Sequence, residues 1–231
     1  MSMLETEDVR RWFQLLPHAS VEVAGFEGSI EIETAATNIA EVRVTRTANN
    51  RADFDRHQLI IEATPTRLVV RARYEERRAS DLLLRGKVRS EVKLVIPRQV
   101  LLSVSGIVGR VVIGEVGGSV RLSGINGNVR VGQVAGNFKI SGINGGVAVA
   151  LASLDMRGAR ISGINGEVEL GVADTLNADI KVKGISGHIN TTLSRVSLHG
   201  KPHQMQARIG SGGAMISLSG INGSMRLVPA A

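Results

Sequence analysis

The string Ser-Gly-Ile-Asn-Gly occurs four times, at Ser123–Gly127, Ser141–Gly145, Ser162–Gly166 and Ser219–Gly223. A string that returns at a fixed spacing marks a fold built from stacked copies of one small unit. Weaker copies stand at Ser105–Gly109 and Lys183–Gly187, and the six starts lie 18, 18, 21, 21 and 36 residues apart. The pattern repeats again inside each 18: from Ile107 the chain reads IVGRVVIGE, VGGSVRLSG, INGNVRVGQ, VAGNFKISG, INGGVAVAL. The unit is therefore nine residues, apolar at positions 1, 5 and 7, with Gly usual at 3 and common at 8 or 9.

Alternation of apolar with polar residues around positions 5 and 7 is the period-2 signature of a strand with one buried face. Val129 and Val131 around Arg130 are one example, Phe138 and Ile140 around Lys139 another. The Gly-rich remainder is a corner, and Asn-Gly suits backbone with positive φ. The corner residues are Asn126, Gly127, Asn144, Gly145, Asn165, Gly166, Asn222 and Gly223. Two units then make one coil of 18. The fold class expected is all-β, a β-solenoid of nine-residue strand-turn units with about two units per coil. A meander of hairpins also uses short strands and Asn-Gly turns. It gives no reason to keep the same five residues at multiples of nine, whereas a solenoid stacks equivalent corners directly.

Composition fits thin stacked layers: apolar residues make up 43% of the chain but aromatics only 3%, beside 27 Gly. Residues 1–231 read as one elongated domain. Within it, residues 1–16 are an N-terminal cap or first strand, 17–104 an irregular β-rich part, and 105–228 the regular repeats. Val9, Trp12, Phe13 and Leu16 fit a helical stripe that would cap the stack. Val21–Ala35 resembles one repeat, while Arg51–His57 and Glu75–Arg89 read as loops. The 12-residue units at Ala152–Gly163 and Ala173–Gly184 read as widened corners, and Ser194–Gly220 as three units with degraded corners.

The residues also resemble a family. Phe13–Pro17 followed by Ser20–Val23 and Gly28–Ile32, then Glu91–Pro97, then Ile209–Gly213 with Ile216–Leu218 and Ile221–Leu227, match in order the opening, middle and closing strands of the bacterial "putative adhesin" β-repeat domain. The resemblance covers roughly residues 12–228. It implies a β-solenoid and a non-enzymatic binding or adhesion role at the cell envelope. The opening MSMLETEDVRRWFQLL shows no basic segment followed by an apolar run, so no signal peptide is read. No run of 18 apolar residues suggests a transmembrane helix.

No catalytic, cofactor-binding or metal site is expected. The chain has no Cys, which removes thiolate ligands and a thiol nucleophile. No Gly-rich stretch ends in Gly-Lys-Ser/Thr before a helix. Calcium-binding nonapeptide solenoids need an Asp in each turn, where this chain places Asn or Ser. Those Asn side chains suit a hydrogen-bonded ladder instead. Of the five His, only His199 and His203 are close, and the intervening Gly and Pro exclude a helix that would align them.

Charge is concentrated. Between Arg67 and Arg98 ten Lys/Arg face four Asp/Glu, an excess of six in a chain whose net charge is +7. Arg67, Arg71, Arg73, Arg77, Arg78, Arg85, Lys87, Arg89 and Lys93 are the candidate contacts for an anionic surface or envelope polymer. A solvated outer face is the plainer reading, since charged edges also block aggregation. Nucleic acid is disfavoured because Tyr74 is the one aromatic there that could stack on bases. The rival function is a scaffold that self-associates end to end, because the last repeat, Ser224–Leu227, has no evident cap.

Overall fold

The computed structural model describes residues 4–74, 87–201 and 204–230. In chain order its elements begin with β1 (Glu5–Gln14), β2 (Ser20–Ala24), β3 (Glu27–Ala35), β4 (Ile39–Ala48) and the helix α1 (Arg51–Arg56). β5 (His57–Thr64), β6 (Arg67–Tyr74), β7 (Arg89–Pro97) and β8 (Leu101–Ile113) follow. The repeats supply β9 (Ser119–Asn126), β10 (Val129–Val134), β11 (Phe138–Asn144), β12 (Val147–Leu151), β13 (Ala159–Asn165) and β14 (Val168–Val172). The chain closes with β15 (Ala178–Ile185), β16 (Ile189–Thr191), β17 (Val196–Lys201), β18 (Gln204–Ile209), β19 (Ala214–Asn222) and β20 (Met225–Pro229). The fold is all-β, and the twenty strands belong to one sheet.

The 18-residue spacing of the sequence is the register of this sheet. Val129 pairs in parallel with Val111 on one side and Val147 on the other. Phe138 pairs with Val120, and across the longer 21-residue step with Ala159. Parallel pairing excludes a hairpin meander for the repeats, since hairpins join antiparallel strands. The residues added in the longer units lie in the connections before β13 and β15, as widened corners should.

Two columns of strands result. One runs β6, β2, β8, β9, β11, β13, β19, β15, and the other β7, β3, β8, β10, β12, β14, β20, β16. The long strand β8 serves both, bending at Gly106 (φ 62°) and Gly109 (φ 144°). The central rungs each send six apolar side chains inward. Leu102, Val104, Ile107, Val111, Ile113 and Val116 do so in one rung, and Val120, Leu122, Ile125, Val129, Val131 and Val134 in the next; all are buried. Arg130, between two of them, is exposed.

Spatial order departs from chain order at both ends of the stack. The rung β19–β20 lies between β13–β14 and β15–β16, although β15–β16 precedes it in the chain. Likewise β2–β3 lies between β6–β7 and β8. The expectation of an uncapped last repeat is therefore corrected: β20 is hydrogen-bonded on both sides. Ser194–Gly220 is also corrected. It is not three degraded units but an antiparallel pair, β17 and β18, joined to the sheet by the antiparallel pairing of β18 with β15, followed by the start of β19.

At the other end, antiparallel β5 covers β6, while β4 covers β7 and β1 covers β4. Residues 5–14 are thus a strand and not a helical cap. Arg51–Arg56, read as a loop, is a short helix because Asn50 caps it, its Oδ1 accepting from the Asp53 N–H at 3.1 Å. No helix among the described residues is long and apolar enough to cross a membrane.

Candidate binding face

The corners form two fixed columns. Asn144 donates to Asn126 at 3.2 Å, Asn165 to Asn144 at 2.9 Å and Asn222 to Asn165 at 3.0 Å. Ser186 completes the series, its hydroxyl donating to Asn222 at 3.0 Å and accepting from the Gly223 N–H at 3.1 Å. The amides are committed to one another, as the sequence suggested. Beside them runs the glycine column. A Cβ on Gly127 (φ 151°) would lie 2.0 Å from the Gly109 carbonyl oxygen, and one on Gly145 (φ 148°) 2.3 Å from that of Gly127. Backbone packs on backbone here, which no side chain permits.

The described residues of the stretch Arg67–Arg98 do not make one face. β6 belongs to the first column and β7 to the second, so Arg71 and Arg73 are separated from Arg89 and Lys93. Arg77, Arg78 and Arg85 lie outside the described residues. Arg67 pairs with Glu22 at 3.1 Å and Arg98 with Glu115 at 3.2 Å. Lys93 sits between Glu91 at 3.1 Å and Glu31 at 3.5 Å, and their carboxylates, Glu91 first, hold its ammonium above the ordinary lysine range. Arg73, Lys87 and Arg89 are exposed. Near Lys87 a depression of about 420 Å³ is lined by Arg46, His57, Tyr74 and Val88. Arg46 is committed inside it, its guanidinium bonded to Glu7 and to the His57 carbonyl.

A second basic feature escapes a reading by local charge density. On the outer side of the first column, register aligns Ser103, Arg121, Lys139, Arg160, Ser217 and Lys181 in one row. Parallel neighbours are about 4.8 Å apart, so Arg121, Lys139 and Arg160 are stacked with nothing between them. All three are exposed and Lys181 is half-buried. None of the four has an ion-pair partner among the described residues. Ser105, Ser123, Ser141, Ser162 and Ser219 form the adjacent row, ending at Lys183. Acids appear only at the two ends and are engaged there, Glu22 by Arg67 and Asp179 by Arg208 at 2.9 Å. In the sequence the four cations stand 18 to 21 residues apart, each two places before the Ser or Lys of its corner string. Aligning the repeats in columns would have exposed them.

The second column treats its charges differently. Glu169 pairs with Arg226 at 3.1 Å, and Lys93 with Glu31 across adjacent strands. Among the described residues no group of three or more His, Cys, Asp and Glu is placed to hold a metal ion.

No protein-family profile matches the chain, and no curated protein sequence does. Solved structures are similar to it at low identity. A "putative cell adhesion protein" from Clostridium sporogenes is 7% identical with a TM-score of 0.49, the match covering 96% of this chain and all of that one. A "putative adhesin" from Parabacteroides merdae is 10% identical with a TM-score of 0.32, covering 97% and 95%. A "putative lipid binding protein" from Parabacteroides distasonis is 14% identical with a TM-score of 0.35, covering 95% and 96%.

Proposed function

We propose that this chain is a non-enzymatic binding module of the bacterial cell envelope, an adhesion-type β-solenoid working as one elongated unit. The observation that carries the reading is the alignment of equivalent outer side chains into long rows, held by a parallel register of 18 and 21 residues. Such rows present the same chemistry at even intervals along a rigid surface, which suits a repetitive partner better than a small substrate. The polar groups of the corners support the absence of catalysis, because the Asn amides serve the ladder. Arg73, Lys87 and Arg89 add exposed positive charge at one end of the stack. The envelope location follows from the family resemblance.

The test is retention of the purified protein on isolated bacterial envelopes, on their separated wall polymers and on lipid vesicles, against a cytosolic fraction. The reading expects saturable retention on at least one envelope fraction, lost at high salt if charge dominates. Equal retention on cytosolic material, or none on any envelope fraction, overturns it. The rival scaffold rested on an uncapped Ser224–Leu227, and that segment is paired on both sides as part of β20.

A further inference from the structure

We propose that the row Arg121–Lys139–Arg160–Lys181 is a docking track for a linear phosphate polymer lying along the stack, perpendicular to the strands. This deepens the binding-module reading and rests on it. Like charges directly opposite on neighbouring strands destabilise a sheet. Here three follow one another in strict register with no acid interposed. In the other column Lys93 is answered by Glu31 and Glu91 and Arg226 by Glu169, while Arg130 stands singly between Val112 and Ala148. Among the described residues of that column no two cations adjoin in register, so the unbroken run of three is a local departure. A partner that brings the missing negative charges removes the cost.

Geometry narrows that partner. From Arg121 to Lys181 the row crosses four strand spacings, about 19 Å, and it is one residue wide. On one side it is flanked by a serine row that ends at Lys183, and on the other by residues including Ser119 and Asn137, with Asp179, paired to Arg208, at the Lys181 end. A line of charge matches a polymer, whereas a membrane presents a plane. Arg offers a planar fork suited to phosphate oxygens and Lys a point charge, with the serine hydroxyls placed to donate alongside. No aromatic side chain lies in these rows, so neither bases nor sugar rings find a stacking platform. The polymer is read through its phosphates alone.

The experiment measures binding of the full chain to long-chain inorganic polyphosphate over a salt series. The arms are a sulfated polysaccharide, oligothymidylate and phosphatidylglycerol vesicles. Two variants remove equal charge: Arg121, Lys139 and Arg160 to Ser, or Arg43, Arg110 and Arg130 to Ser. The expected result is a loss of about tenfold or more in polyphosphate affinity and a shallower salt dependence for the first variant only. Thermal melts of the first variant should match or exceed wild type, which separates lost binding from lost fold. Equal loss in both variants means diffuse attraction and overturns the track. So does tighter binding to the sulfated polysaccharide, the oligonucleotide or the vesicles than to polyphosphate. If no phosphate polymer binds while envelope fractions still retain the protein, the track falls and the module reading stands.

Discussion

Phe138 is the one aromatic residue after Tyr74, and it sits fully buried in a row of smaller side chains, between Val120 and Ala159. Large beside small is how a stack of fixed spacing stays close-packed. Phe138→Ala should cost about 3–5 kcal/mol, and Ala159→Phe about 1–3 by overpacking. The double variant should lose clearly less than the sum, because volume is conserved across two touching rungs. Urea unfolding of the four proteins checks this, and strict additivity would contradict the register. At the corner, Gly127→Val should cost several kcal/mol, since the new Cβ meets a carbonyl oxygen and the backbone is at positive φ. Asn126→Ala should cost about 0.5–1.5 kcal/mol, the worth of one exposed ladder bond. The corners were legible in the sequence because a steric demand met only by Gly leaves the same letter at every copy.

Elements were legible where repetition spoke and obscure where it stopped. Apolar alternation marks a strand but carries no direction, so the sequence does not reveal that β18 runs antiparallel against β15 and β17 antiparallel against β18. Residues 9, 12, 13 and 16 fit a helical stripe equally well. In the strand, Val9 and Phe13 turn inward while Trp12 is 56% exposed beside Arg10, so the stripe joined two opposite faces. The β18–β19 connection depends on Asp179, which accepts from Arg208 at 2.9 Å and from the Gly213 N–H at 3.1 Å. These bonds, that of Arg208 first, hold its carboxyl below the ordinary carboxylate range. Its contribution is therefore complete above the unfolded value of about 4 and disappears as pH falls through the lowered folded value. Urea midpoints should show Asp179→Asn weaker than wild type at neutral pH, the two curves converging in acid. Parallel curves at all pH would remove Asp179 from this role.

At the scale of the molecule, antiparallel strands close both ends of the first column and the β7 end of the second, and β1, outermost there, carries Glu5, Glu7, Asp8, Arg10 and Arg11 along its length. Charged edges resist pairing with a second copy. Light scattering behind size exclusion should give a concentration-independent monomer; a mass that grows with concentration would restore the scaffold reading. The charge track was present in the sequence but dispersed, because side chains 18 to 21 residues apart become neighbours only through the register. The interposed position of β19–β20 bears on how the protein is made. During synthesis β15–β16 emerges first, while β13–β14 still shows the bare edge that it will finally share with β19–β20. The string Lys183–Gly187 copies the corner it would meet there, so the early rung has a ready but wrong seat. Were the early rung to take that seat, reaching the native order would require vacating it for a segment that emerges later.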